Sequence, residues 1–317
     1  MELSKIYEFV VKEGIVADPR GKEAVLKNLA KTNKEFETLK DKDKEIFDKE
    51  RLTNPYADTR ILNGDTKTDV KKAMIGIDIE VGEILLADRL KEKGEAIDLV
   101  ISHHPEGKAY ANFYQVMSMQ ADIFNKFGVP INVAEGLLKE RMKEVERRVL
   151  PANHTRGVDA AKLLNIAMMC VHTPADNHVA GYLQGLFDKE KPEDVAEAME
   201  ILKGIPEYQE AMKMGVGPKI LYGDPKNRAG KIFVDMTGGT EGPKEIFEKL
   251  EVCGVGTIVA MHLSEEHYKN AQKGNINVII AGHISSDTLG LNLLMDKLVK
   301  ESKIEFVNCS GFKRVSR

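Results

Sequence analysis

Apolar residues recur along this chain in two rhythms, and the change from one to the other falls near residue 72. Before it, Leu3, Ile6, Phe9 and Val10 mark one stripe, Val25, Leu26 and Leu29 a second, and Phe36, Leu39, Ile46 and Phe47 a third. Spacings of three and four belong to amphipathic helices. Residues 1–60 are therefore read as a helical N-terminal extension that caps the core or another subunit, without a ligand-type constellation of its own. The run Lys40 to Lys49 reads as a solvated helix face. Asn54-Pro55-Tyr56 breaks the pattern, and Leu62-Asn63-Gly64-Asp65 reads as a turn.

From Lys72 onward short apolar runs alternate with helical stretches. Ala73 to Ile77, Asp98 to Ile101, Ile166 to Val171, Lys231 to Met236, Gly256 to Met261, Asn277 to Ala281 and Ile304 to Val307 read as strands. Helices are expected over Ile84 to Lys93, Gln115 to Phe127, Leu137 to Val149, Val195 to Leu202 and Lys244 to Leu250. Two more are expected before Leu164, capped by Asn153 or Thr155, and after Gly282. Such βαβ order implies parallel pairing. The expected fold is α/β, with two similar α/β lobes of mixed, largely parallel sheets over residues 61–187 and 230–317. A helical connection over 188–229, rich in Gly and Pro, joins them. Both halves place histidine at a strand end, which suggests an old duplication with the functional site in the cleft between the lobes.

Composition narrows the partners. At 317 residues and 42% hydrophobic content the chain can bury a large core. A net charge of -4 and a pI near 6.1 argue against nucleic acid as a partner. Cys170, Cys253 and Cys309 form no Cys-x-x-Cys pair and read as reduced thiols, so the expected location is cytoplasmic. No apolar run approaches a membrane span or a signal-peptide core, and no membrane partner is expected.

The chemistry gathers at strand ends. Leu99-Val100-Ile101-Ser102 runs into His103-His104-Pro105, a pair of imidazoles at the edge where open α/β sheets bind ligands. Ile166 to Val171 runs into His172-Thr173-Pro174-Ala175-Asp176, and Asn277 to Ala281 into Gly282-His283-Ile284-Ser285-Ser286-Asp287. On a helix, 283 and 287 share a face. Imidazoles and carboxylates converging from separate strands suit zinc, iron or manganese rather than calcium. Two such ions about 3.5 to 4 Å apart activate water for hydrolysis. His172 is read as an orienting residue, with direct ligation the alternative. Glu106 is the candidate general acid or base, against a plain exposed loop residue. His154, His178, His262 and His267 read as ordinary polar residues, with His178 the one to test. The turn Thr237-Gly238-Gly239-Thr240-Glu241-Gly242 offers amides to an anion, or is simply a tight turn.

These three motifs, in this order, resemble the signatures of the dinuclear-metal family known as type-2 GTP cyclohydrolase I, or NIF3-like proteins. The likeness covers about residues 62–317, and the Gly-rich turn is similar as well. It implies that His103, His104, Asp176, His283 and Asp287 hold two divalent ions per chain. The last of these would bridge the ions, though the family usually has Glu there, a side chain longer by about 1.5 Å. Glu106 stands where an apolar residue is more usual, and residues 1–60 do not resemble the family's short start. The resemblance also implies self-association, commonly as a homohexamer.

The expected function is a metal-dependent hydrolase of a small heterocyclic or phosphorylated molecule, with little weight on GTP because no guanine-reading motif is evident. A phosphoesterase with Asp-His-His at a strand end would want an acid where Ser102 stands. A metal-loaded scaffold that binds partners is the non-enzymatic alternative.

Overall fold

The computed structural model describes residues 1–317. Its N-terminal part is helical: α1 (Leu3–Ala17), α2 (Lys22–Thr38) and α3 (Asp41–Ile46), then a 3-10 turn over Lys49–Leu52. Only α1 buries a full apolar face, with Leu3, Ile6 and Val10 in the main core, while α3 buries nothing. The solvated charge run is thus as its composition requires.

Next come β1 (Arg60–Asn63), β2 (Lys72–Gly76), α4 (Val81–Glu92), β3 (Leu99–Ser102), α5 (Gly107–Asn112), a 3-10 stretch (Phe113–Ser118), α6 (Met119–Lys126), α7 (Ile131–Val149), α8 (Arg156–Leu163), β4 (Met168–Cys170) and α9 (Thr173–Glu190). The remainder is α10 (Val195–Lys203), α11 (Pro206–Lys213), β5 (Lys219–Tyr222), β6 (Lys231–Asp235), α12 (Ile246–Val252), β7 (Val255–Ala260), α13 (Glu265–Lys273), β8 (Asn277–Ile280), α14 (His283–Glu301) and β9 (Glu305–Asn308).

The strands form two sheets, ordered β1-β4-β3-β2-β9 and β5-β8-β7-β6. Apart from β9 the two have the same plan. An antiparallel edge strand with a bulge, β1 or β5, flanks three parallel strands. Both edge strands differ from expectation: β1 ends inside the segment read as a turn, and β5 lies in the segment read as connection. Each has four residues and no alternating apolar pattern, so nothing local marks it. β9 also differs, pairing in parallel with β2 of the first sheet.

Alternation along the strands sorts the core into layers. In the first sheet Met74, Val100 and Met168 face α4 and α8, while Ile75, Ile101 and Met169 face α1, α9 and α14. In the second, Ile232, Val234, Val259 and Ile279 face α9, α10 and α14, while Phe233, Ile258 and Val278 face α6, α12 and α13. Helices α9 and α14 thus lie between the sheets and belong to both cores. Ala175 and Leu291 pack toward the first, Val179 and Leu289 toward the second.

No helix is long and apolar enough to cross a membrane.

Candidate metal centre

The parallel strands deliver their C-terminal ends to one place. Beyond β3 the ladder continues for two residues, since His103 N donates to Gly76 O and His104 N to Ile77 O, both at 2.9 Å. Both imidazoles are therefore fixed by backbone pairing. β4 ends two residues before His172, which occupies the N-cap position of α9, and Pro174 follows at a position where its missing N–H costs nothing. Asp176 sits in the first turn of α9, where the helix dipole favours a carboxylate. In the second half Gly282, at φ 109°, turns the chain from β8 into α14 and makes His283 its first residue. A side chain at 282 would meet Ser285 Oγ at 2.7 Å, so the turn needs glycine in both conformation and space.

His103, Asp176 and Asp287 are buried, while His104 and His283 keep 27% and 40% of their side chains exposed to an open cleft. His103 Nε2 lies 3.4 Å from Asp176 Oδ1 and 3.4 Å from Asp287 Oδ1. The other Asp287 oxygen, Oδ2, lies 3.5 Å from both His104 Nε2 and His283 Nε2. His172 Nε2 is 3.6 Å from Asp176 Oδ2. These separations are long for hydrogen bonds. They match two donors of one tetrahedral ion, which at about 2.0–2.1 Å from the metal stand roughly 3.4 Å apart. Three overlapping donor groups result: His103 with His104 and His172, His104 with His283 and Asp287, and His103 with Asp176 and Asp287.

Unmet hydrogen-bonding capacity points the same way. His103 Nε2, Asp176 Oδ1 and both oxygens of Asp287 are buried and have no hydrogen-bond partner. Leaving several such atoms unpaired in one place would be costly. Residues of this kind fit a divalent cation, which satisfies them together.

Without a cation, protons carry the compensating charge. Burial alone would lower the His103 pKa, but the Asp287 and Asp176 carboxylates raise it well above the usual imidazole range. His172 is likewise raised by Asp176 and Asp58 against the effect of burial. Burial would raise the Asp287 pKa, yet the surrounding imidazoles, His103 foremost, hold it far below the carboxylate range. His283 is lowered by burial, with the neighbouring His104 acting in the same direction.

The outward nitrogens are also engaged. His103 Nδ1 donates to Val171 O at 3.0 Å, His104 Nδ1 to Asp78 Oδ1 at 2.6 Å and His172 Nδ1 to Asp58 Oδ2 at 2.9 Å. Sequence alone gives the orienting part to His172; the structure brings its Nε2 among the donors and puts Asp58 behind it. Asp58 belongs to the segment expected to contribute nothing to the site. Asp78 directly follows the strand read over Ala73 to Ile77.

Above the cluster lies a cleft of about 480 Å³, lined by Glu106, Tyr110, Arg156, Gly239, Thr240 and His262 among others. Glu106 is half-buried, and its pKa is pushed up to about 7 by burial and then by Glu80 and Asp78, with Arg156 opposing. Gly238 and Gly239 have φ of 98° and 87°, and Gln120 Nε2 donates to Gly238 O and Thr240 O, fixing the turn that borders the cleft. His262 is held by Glu241, its Nδ1 3.2 Å from Oε1, and its ring lies 4.9 Å from that of His283. Sequence reading took His262 for an ordinary polar residue.

Other candidates fall elsewhere. His178 hydrogen-bonds Pro174 O within its own helix, and burial lowers its pKa to about 4. His154 donates to Val149 O, and His267 is satisfied by Ser264 and Gly242 O. Ser102 donates to His104 O at 2.6 Å and is fully buried, so it offers nothing to the cluster. A cavity of about 740 Å³ between α6, α9 and β6 contains none of the cluster residues.

Two mostly parallel sheets with a buried His/Asp cluster fit for metal at their strand ends define the class of protein. Among solved structures, this one resembles a NIF3 superfamily protein from Sphaerobacter thermophilus at a TM-score of 0.70 and 28% identity, over 80% of this chain and 91% of that one. It also resembles reduced HcgD from Methanocaldococcus jannaschii at a TM-score of 0.50 and 16% identity, over 78% of this chain and 87% of that one, a likeness of fold. No family model and no curated protein sequence matches it. The chain has the fold of the NIF3 superfamily.

Proposed function

We propose that this chain is a metal-dependent hydrolase that holds two divalent ions, zinc, iron or manganese, and acts on a small heterocyclic or phosphorylated substrate. One observation carries the proposal: the two oxygens of Asp287, buried and without partners, each face a different set of imidazoles at 3.4–3.5 Å. A carboxylate so divided suits a bridge between two ions. His103 and Asp176 would hold one ion, with His172 beside them, while His104 and His283 would hold the other.

When bound, paired divalent cations supply Lewis acidity and make nearby water acidic near neutral pH. The protein's own groups do the rest. Glu106, with its pKa near 7, is suited to take a proton from an attacking water and return it to a leaving group. The Gly239–Thr240 turn and Arg156 offer positive polarity to an anionic part of the substrate. The walls of the cleft exclude bulk solvent from His172 while leaving His104 and His283 accessible. Such accessibility favours catalysis over a scaffold, in which protein donors would close every position.

Metal analysis of protein purified without added ions tests the centre. Two equivalents per chain are expected, falling on replacement of His103, His104 or His283. Less than one equivalent, unchanged by those replacements, would overturn it. A panel of phosphoesters and cyclic amides tests turnover, which should vanish with the metal. The homohexamer expected by resemblance is part of the same proposal, and light scattering should then give about six times 35.3 kDa.

A further inference from the structure

Asp58 arrives at the cluster from an unexpected direction. It lies between the N-terminal helices and β1, is fully buried, and has a carboxylate oxygen on two residues at the start of α9: His172 Nδ1 at 2.9 Å and Thr173 Oγ1 at 2.5 Å. The backbone around it is tied just as closely. Cys170 Sγ donates to Asp58 O at 3.3 Å, and His172 N to Thr59 Oγ1 at 3.2 Å. Asn54 Nδ2 donates to Thr59 O at 2.8 Å, and the buried Arg60 guanidinium to the same oxygen at 2.7 Å and to Asp48 at 2.9 Å. Tyr56 OH reaches back to Asp18 at the end of α1 at 2.9 Å.

We infer that Asp58 is a positioning residue of the metal centre: by accepting the Nδ1 proton of His172 it fixes the tautomer whose Nε2 lone pair faces the cluster, and so makes the N-terminal extension part of the site. This rests on the proposal that the cluster binds metal. An imidazole offers a lone pair at Nε2 only when its proton resides on Nδ1, and a carboxylate behind Nδ1 both selects that form and makes the ring a better donor. Asp78 stands in the same relation to His104, at 2.6 Å. The difference is that Asp58 is tied through residues 54–60 to α1 and the 3-10 turn, so the rigidity of the extension is passed to His172.

A purely structural alternative exists, in which Asp58 only anchors Thr173 and the start of α9. Cobalt(II) titration of the metal-free full-length chain, followed by visible absorption, separates the two. Asp58→Ala should weaken cobalt binding about 10–100-fold, and Asp58→Asn, which keeps an acceptor oxygen, by an intermediate factor. Thr173→Val, which removes only the other partner of the carboxylate, should stay within about twofold of wild type. Nitrogen-15 NMR of the imidazoles should show His172 as the Nδ1–H form in the wild-type chain and a mixture of tautomers in Asp58→Ala. Should Asp58→Ala fold poorly, Asp58→Asn carries the same comparison. Wild-type cobalt affinity in the Asp58 variants, or loss equal to that of Thr173→Val, overturns the inference. His172→Ala distinguishes the failures. If it too binds cobalt like wild type, metal ligation by His172 is wrong; if it weakens binding while the Asp58 variants do not, only the role of Asp58 is.

Discussion

Gly290 of α14 lies against the carbonyl of Ala175 in α9, so near that a Cβ built on the glycine would stand 2.4 Å from that oxygen. The crossing is therefore set by the absence of a side chain. It matters because Ala175 precedes Asp176, and Asp287 lies one turn before Gly290, so the two carboxylates meet only if the helices touch. Gly290→Ala should cost about 1–3 kcal/mol through overpacking and weaken metal binding as well. Gly185→Ala, on the exposed side of α9 with nothing within 4 Å of its added Cβ, is the control. It should be neutral or stabilising by up to ~1 kcal/mol. Urea denaturation of the metal-free variants and a zinc titration of each provide the measurements.

Asp287→Asn keeps the shape of the side chain and removes its charge. The variant should lose at least one metal equivalent by elemental analysis. Retention of both would place the bridging carboxylate elsewhere.

Metal should also stabilise the fold, because the donors come together only in the native state. Zinc at a hundred times its dissociation constant contributes about 2.7 kcal/mol for one site, or a Tm rise of roughly 4 °C for a chain of this length. Calorimetry with and without chelator reads this shift, and His103→Ala should abolish most of it.

A pH dependence follows from Asp235 at the end of β6. Burial raises its pKa to about 7, with Glu241 adding to the effect and His262 opposing it. The folded carboxyl thus keeps its proton up to about pH 7, whereas the unfolded one loses it near ~4. Stability is fullest below the lower value and is lost as pH rises through the upper one. Asp235→Asn should escape this loss. Its advantage over wild type should grow between about pH 4 and pH 7 and level off above, at roughly 1–2 kcal/mol once solvent screening is allowed for. Urea midpoints at pH 5 and pH 8 test the sign.

The donors themselves were legible because each follows an apolar run by one or two residues, so a local pattern announces His103, His172 and His283. Their supports were not. The bond from Asp58 to His172 spans 114 positions, and no periodicity links residues so far apart. Glu241 and His262 meet only because the Gly-rich turn folds over the end of β7. Edge strands β1 and β5 escaped notice since one antiparallel neighbour suffices for four residues with little apolar content. Parallel strands buried on both faces are strongly apolar, and those were found.

The placement of β9 beside β2 bears on how the molecule is made. During synthesis the first sheet lacks an edge until residue 308 has left the ribosome, more than two hundred residues after β2 emerged. His283 and Asp287 arrive only shortly before it. On the proposed two-ion reading, the imidazoles at 103, 104 and 172 are therefore made long before the full donor set exists, and tight loading would wait for His283 and Asp287 to emerge.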